Sequence, residues 1–369
     1  MNPQIQDTTP MLSYAELEAY VLQFNPQRYA KSRNFLNGGV SGLSPYIARG
    51  VISTRQVYEL LLKAGHEPAA MEKFIQELAW RDYWQLRWQD NPQAIAPRAV
   101  RAEQILTQRL GVPNALLNAE TTIDAIDTGI NTLHETGRMH NHLRMYTAAV
   151  ACSVAQCHWL APAQWMYYHL LDADWGSNAL SWQWVNGDIN GKKYYANQEN
   201  INYYTGGAQR GTFLDVSYDD FPSLPIPSVL NDTQPFEAST VLPNTTMLTR
   251  DIHAPCFIYT FYNLDPNWHE HEAGERLLLL EPSVFAEYPV SPKTLQWVID
   301  YAHQLIPDIQ VLVCEFNDLA PRLHGPVYFK EHPLQVYRGT EEARDWLAPL
   351  RGFYPSFFAY WKRAKKYVM

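Results

Sequence analysis

The sequence predicts a mainly α protein: an all-helical domain followed by a small α/β unit. Three observations carry that prediction. Across residues 11–219, apolar residues recur at three- and four-residue spacing and strand-like runs are scarce. Between Phe221 and Met247 stand five prolines with Ser, Thr and Asn among them, a composition that resists regular structure. Beyond that segment, short apolar β-type runs alternate with a helical pattern, as in a parallel α/β unit. The expected organisation is therefore a helical domain over 11–219, a Pro-rich linker over 220–250 and an α/β domain over 251–369.

In chain order, Ser53 stands at an N-cap position and Val57, Leu60 and Leu61 give the segment Ser53–Lys63 its apolar face. Met71–Trp88 and Met139–Ala155 are the strongest expected helices. After the linker, Phe257–Leu264, Leu277–Leu280, Ile309–Glu315 and Val327–Phe329 read as short buried strands, with Pro292–Leu305 as a crossover helix between two of them. The last residues, Trp361–Met369, carry Lys362, Arg363, Lys365 and Lys366 and read as a solvated basic face. No internal repeat is visible.

Composition bounds the function. With 46% apolar and 18% charged residues over 369 positions, a large core is expected and global disorder is excluded. Lys and Arg number 29 against 38 Asp and Glu, a formal charge of −9, which argues against non-specific coating of nucleic acid but allows a local basic patch. The 12 Trp, 23 Tyr and 14 Phe suit wide, flat, apolar pockets. Cys152, Cys157, Cys256 and Cys314 are too few and scattered for a disulfide framework, and buried free thiols are expected rather than a metal or iron–sulfur site. The start, MNPQIQDTTP, has neither a cationic end nor an apolar run, so no secretory signal is read. Met145–Tyr168 is broken by Gln156, His158 and Pro162 and reads as buried helices, not a membrane span. A cytoplasmic protein is expected.

Three segments hold polar residues that a plain core would not choose. Ser41-Gly42-Leu43-Ser44-Pro45, after Gly38-Gly39, offers hydroxyls and backbone N–H groups ahead of a helix, as a phosphate cradle does; an ordinary helix cap is the plainer reading of this motif alone. Glu77, Trp80, Arg81 and Trp84 fall on one helix face, where two tryptophans beside a charged pair suggest a pocket wall. The richest segment runs from Gly137-Arg138-Met139-His140-Asn141-His142-Leu143-Arg144-Met145 to Leu171-Asp172-Ala173-Asp174-Trp175-Gly176-Ser177-Asn178 and Ser181-Trp182-Gln183-Trp184. Arg144 and Asp172 are the obvious buried pair there, and the amides of Asn141 and Asn178 suit a flat heteroaromatic ligand. His140 and His142, two apart, fall on different helix sides, so joint metal ligation is not expected.

These pieces carry a resemblance. SGLSPYIARGVISTRQV, ELAWRDYW, GRMHNHLRM, LLDADWGSN and WQW stand in the order and near the spacing of the helical FAD-binding domain of the photolyase/cryptochrome family, over Ser41 to about Tyr195. Among its subgroups the chain most resembles photolyases acting on cyclobutane pyrimidine dimers. The resemblance implies non-covalent FAD in an all-helical bowl. It implies that Tyr29, Ser41, Leu43 and Ser44 hold the diphosphate and ribityl region with Arg81 nearby, and that Arg144 and Asp172 form a salt bridge beside the isoalloxazine. Asp174 is implied to face the ring's polar edge or the folded adenosine. Asn178 is implied to lie against flavin N5, where an amide accepts a hydrogen bond from the protonated nitrogen and favours reduced or semiquinone flavin. Asn141, Glu77, Trp80, Met145 and Trp184 match positions lining a lesion pocket: a flipped dimer stacks on Trp80 and Trp184 and is hydrogen-bonded by Glu77 and Asn141. Trp182 and Trp159 match two members of an electron-transfer chain.

The departures are specific. Gly42 stands where most of the family has Arg beside the phosphates, and His142 where photolyases usually have an Arg touching DNA phosphate. The outer chain Trp has no clear counterpart around Arg98–Leu110; Tyr167, Tyr168 and Tyr146 are the candidates for its role. The family's N-terminal α/β antenna domain has no counterpart ahead of residue 11. The C-terminal α/β unit resembles that domain's first strands and crossover helix in order and spacing, while an unrelated βαβ unit explains the same pattern. The resemblance thus implies light-driven repair of pyrimidine dimers in damaged DNA, with FAD as cofactor and the antenna pigment open. The rivals are a blue-light signalling flavoprotein with a protein partner and a light-independent flavin redox protein. No metal and no membrane are expected in any of the three.

Overall fold

The computed structural model describes residues 9–103 and 109–369, with the side chains of 101–103 left aside. The helices in chain order are α1 (Tyr14–Gln23), α2 (Pro26–Ser32), α3 (Ser44–Ala48), α4 (Thr54–Lys63), α5 (Glu72–Asp90), α6 (Pro97–Glu103), α7 (Asn114–Leu117), α8 (Asp124–Thr136), α9 (Asn141–Ala149), α10 (Leu160–His169), α11 (Trp175–Asn186), α12 (Gln198–Thr205), α13 (Pro282–Glu287), α14 (Pro292–Leu305), α15 (Phe316–Leu319) and α16 (Phe357–Val368). The strands are β1 (Val112–Pro113), β2 (Thr233–Gln234), β3 (Cys256–Tyr259), β4 (Glu275–Leu280), β5 (Gln310–Val313), β6 (Val327–Lys330) and β7 (Thr340–Glu342). The protein is mainly helical with a small α/β part, as the sequence predicts.

Two compact units interleave along the chain. One is built from Arg28–Val40 and Gln93–Ala238, the other from Thr9–Gln27, Ser41–Pro92 and Ser239–Met369. In the first, three helix boundaries have a plain local cause. Gly137 (φ 71°) ends α8 and Gly187 (φ 90°) ends α11, both in the left-handed conformation glycine adopts without strain. His140 caps α9, its Nδ1 accepting the His142 N–H at 3.2 Å. The helix expected over Met139–Ala155 therefore starts at Asn141, and its end widens into a π-helical turn over Val150–Val154.

In the second unit, capping boxes open α1 (Ser13 with Glu16) and α4 (Ser53 with Gln56), the latter at the cap the sequence predicts. A 3-10 turn over Pro68–Met71 leads into α5. The C-terminal strands form one parallel sheet of order β5-β4-β3-β6-β7. Their near-continuous apolar runs, CFIY and LLLL, fit a sheet covered on both faces. One face is a core of Cys256, Ile258, Leu277, Leu279, Leu312 and Phe329 with their neighbours. The crossover helix Pro292–Leu305 falls where expected, with Ser291 as its cap.

Three expectations are corrected. The strand expected over Phe257–Leu264 stops at Tyr259, because Asn263 N–H returns to Thr260 O at 3.0 Å and turns the chain. A fifth strand, Thr340–Glu342, pairs with β6 from Tyr328↔Thr340; its polar side chains gave no apolar signal. The terminal helix starts at Phe357 and has two faces. Lys362, Arg363 and Lys366 are exposed, but Tyr360, Trp361, Ala364 and Val368 are buried, so it is an amphipathic packing element as well as a basic face. All four cysteines are free and buried, and no described helix is long and apolar enough to cross a membrane.

Candidate functional site

The first unit holds Tyr29, Asn141, Arg144, Met145, Trp159, Asp172, Asp174, Asn178, Trp182 and Trp184. Arg144 and Asp172 meet as the sequence predicts. Arg144 Nη2 donates to Asp172 Oδ1 at 3.1 Å and Oδ2 at 2.9 Å, and its Nε donates to Met139 O at 2.9 Å. Asp174 opens α11: its Oδ1 accepts from Ser177 N–H at 2.8 Å, and its side chain is buried. Asn178 donates its Nδ2 to Ala163 O at 2.9 Å, which leaves Oδ1 as the amide's acceptor end. Ser177 Oγ, in the same turn, is buried without a hydrogen-bond partner among the described residues.

Asn141 is exposed and its Nδ2 lies 3.9 Å from Met145 Sδ. Trp184 is partly exposed and packs 6.1 Å from Tyr194. Trp182 and Trp159 are buried. The ring of Trp159 lies 6.4 Å from Trp175, which meets Tyr167 edge-on at 5.4 Å. Tyr146, by contrast, donates to Asn200 Oδ1 at 2.9 Å and stacks on His142 at 5.2 Å. Part of the region searched for an outer tryptophan, residues 104–108, lies outside the described residues. Tyr29 sits on α2, half-buried.

His142 turns inward. Its Nδ1 lies 2.7 Å from Asn34 O, its ring is flanked by Tyr146 and Tyr204, and burial holds its pKa below the usual imidazole value. Burial first, then the neighbouring charges of His142 and Arg144, push His140 down to about 4. Neither is a ready cation at neutral pH. No group of three or more His, Cys, Asp or Glu that could hold a metal occurs among the described residues.

The second unit holds Ser41, Leu43, Ser44, Glu77, Trp80 and Arg81. Gly42 has φ 65°, a conformation in which any side chain is strained. Leu43 is buried and its N–H is turned to Ser41 Oγ at 3.3 Å, while Ser44 opens α3 exposed. Ser41 O accepts from Tyr20 OH at 2.8 Å. On α5, Glu77 Oε1 lies 3.1 Å from Lys73 Nζ, and Trp80 touches Trp84 at 5.1 Å, the shared face read from the sequence. Asp82 is buried on the same helix, accepting from Thr54 Oγ1 at 3.0 Å and Leu347 N–H at 2.8 Å.

In open parallel sheets, ligands bind at the carboxyl ends of the strands where the strand order reverses, here the ends of β3 and β6. Those ends carry the chain's own side chains. Tyr262 stacks on His332 at 4.3 Å, Trp88 meets His332 edge-on at 5.0 Å, and Arg49 lies 3.8 Å over the Phe261 ring. Sequence reasoning missed Ala163, Trp175, Ser177 and Arg49 as members of these arrangements. Asp174 followed by Ser177 is a legible N-cap signal; the rest are long-range contacts without a sequence signal.

Residues 74–209 match the family described as the FAD binding domain of DNA photolyase. The deoxyribodipyrimidine photo-lyase of Alkalihalophilus pseudofirmus is 31% identical over 160 residues, which are 42% of this chain and 33% of that protein. That of Thermus thermophilus is 32% identical over 176 residues, 47% of this chain and 41% of the relative. The match thus spans well under half the length of these relatives. A cryptochrome of Synechocystis aligns in structure with a TM-score of 0.44 and 21% identity over 55% of this chain and 46% of its own. Residues 74–209 are thus similar to a photolyase-type FAD-binding domain. The family it resembles is photolyase/cryptochrome, as the sequence motifs indicate.

Proposed function

We propose that the chain is a FAD-dependent, photolyase-like flavoprotein that uses light-driven electron transfer to repair pyrimidine dimers in DNA. The observation that carries the reading is Asn178: its amide nitrogen is bound to Ala163 O, so Oδ1 is the end left to accept a proton-bearing ring nitrogen. The buried, unpartnered Ser177 Oγ beside it fits a site that takes a polar ligand. Bound FAD supplies the light absorption and the electron that opens the cyclobutane ring.

The chain's residues would do the rest. Arg144 with Asp172 orients the ring's surroundings, and Asp174 holds the start of α11 so that Asn178 keeps its place. Ser41, Leu43, Ser44, Tyr29 and Arg81 would hold the diphosphate and ribityl region. The Leu43 side chain is buried and anchors that loop. Glu77 and Asn141 would hydrogen-bond the flipped dimer, with Trp80, Met145 and Trp184 as the apolar walls. Trp182 and Trp159 would carry electrons to the flavin.

His142 favours a second reading, a blue-light signalling flavoprotein with a protein partner. A neutral imidazole turned to Asn34 O makes no charged phosphate contact. Two measurements separate the readings. The purified protein should show a flavin spectrum and prefer a dimer-bearing strand over an undamaged one at moderate salt, and Trp80→Ala should weaken that preference about tenfold while keeping FAD. Flavin without any lesion preference or repair under blue light would leave the signalling reading standing.

A further inference from the structure

The C-terminal helix lays a ring flat on Trp80. Phe357, the first residue of α16, stacks on the indole with centroids 3.8 Å apart and planes within 7°. Trp361, one turn on, lies parallel to Phe357 within 8° at 6.4 Å. Tyr83 meets Trp80 edge-on at 5.7 Å. Phe357 is only 3% exposed, whereas Trp80 is partly exposed. The helix that delivers Phe357 is fastened at several points. Lys365 Nζ lies 2.6 Å from Glu72 Oε1, Tyr58 OH donates to Val368 O at 3.0 Å, and Ser356 Oγ caps the first turn.

A tryptophan on a helix surface can turn about two side-chain bonds. As a stacking platform it works best when its plane is set before the base arrives, since the ordering cost then does not fall on binding. Burial of Phe357, Tyr360 and Trp361 makes the clamp a fixed part of the fold rather than a flap.

We propose that Phe357 is a positioning residue that holds the Trp80 indole in the plane against which a nucleobase stacks. The inference rests on the repair reading above and extends it to the far end of the chain. The test uses the full-length protein loaded with FAD, a short single strand carrying one thymine dimer, and its undamaged counterpart. Phe357→Leu keeps the apolar volume and removes the flat ring; Phe357→Tyr keeps the ring. Two quantities are read: dimer affinity, and the near-ultraviolet circular dichroism that Trp80→Phe assigns to Trp80. The expected result is that Phe357→Leu loses the Trp80 signal and about tenfold in dimer affinity, with FAD content unchanged, and that Phe357→Tyr retains both. If Phe357→Leu binds the dimer as well as wild type, or more tightly, the ring only packs or stands in the ligand's way, and the proposal is overturned. A wild type with no dimer preference overturns the repair reading first and this proposal with it, an outcome distinct from an unchanged variant in a wild type that does discriminate.

Discussion

A single nitrogen, Arg144 Nη2, spans both carboxylate oxygens of Asp172, at 2.9 and 3.1 Å, while Arg144 Nε holds Met139 O at 2.9 Å. The partners are unequally buried: the Asp172 side chain is 8% exposed and that of Arg144 26%. Removing Arg144 strips the cation from the more buried member of the pair, whereas removing Asp172 leaves the more exposed member, which keeps its bond to Met139 O. Arg144→Ala is therefore expected to cost about 3 kcal/mol and Asp172→Ala about 1–2 kcal/mol, the latter discounted for screening. Urea melts of both variants check the order, and FAD content read alongside checks the pocket. Equal costs, or full FAD content in both, would count against the assignment.

Gly42 has φ 65°, and the resemblance places an arginine of the family at this position. A Cβ in that conformation costs about 1–2 kcal/mol, so Gly42→Ala should lower the melting temperature by a few degrees. Gly42→Arg should show the same loss, offset by tighter FAD retention if the loop faces phosphate. Unchanged melting in Gly42→Ala would mean that the loop relaxes into another conformation.

Burial raises the Asp82 carboxyl to about 6, only partly opposed by its hydrogen bonds from Leu347 N–H and Thr54 Oγ1. The sign follows from linkage. Between about pH 4 and 6 the unfolded chain has released this proton and the folded one keeps it, so the contribution of Asp82 to stability falls as pH rises through that window. Asp82→Asn can keep both hydrogen-bond contacts, with its Oδ1 toward Leu347 N–H and its Nδ2 toward the threonine oxygen, and cannot titrate. The stability of wild type minus Asp82→Asn should drop by about 2–3 kcal/mol from pH 4 to pH 7 and then stay flat. A difference that rises with pH would show that the carboxylate is stabilised in the fold.

What the sequence made legible is what local chemistry encodes. Ser53 before an apolar periodic run, Ser291-Pro292 before the crossover helix, and the run Leu277–Leu280 each carry their own signal, and each element stands where that signal puts it. Arg144 with Asp172 was also legible, because two opposite charges in apolar surroundings need one another. The interleaving of the units was not, since no local pattern says that Thr9–Gln27 and Ser41–Pro92 pack with Ser239–Met369. The stack of Phe357 on Trp80 belongs to that hidden class: both aromatics were visible, but not their meeting. Asp174 carries a local signal as well: its capping bond to Ser177 follows from spacing alone.

Trp182 is 2% exposed, one helical turn after Asn178 on α11, so the two share a helix face. Trp159 is buried as well, and its ring continues to Trp175 at 6.4 Å and from there to Tyr167 at 5.4 Å. Of the tyrosines considered for the outer position, Tyr167 is joined to Trp159 in this way through Trp175, while Tyr146 is bonded to Asn200 instead. Were Trp182 and Trp175 only packing, their replacement by Phe would keep an aromatic core residue and alter stability slightly. Trp175→Phe would also free Ile95 O, which accepts from Trp175 Nε1 at 2.7 Å, at about 1 kcal/mol. As relays, they behave differently. Trp182→Phe should retain FAD and lose most light-driven reduction of oxidised flavin in the presence of an external reductant, and Trp159→Phe should do the same. Trp175→Phe should slow photoreduction to an intermediate extent, since His158, stacked on Trp159 at 5.7 Å, offers a half-exposed edge of the same array. Flavin bleaching under blue light, followed in wild type and the three variants at matched FAD content, gives the ranking. Equal rates in all four would mean that the electron enters by another route, and a deficit in Trp182→Phe alone would end the path at its first member.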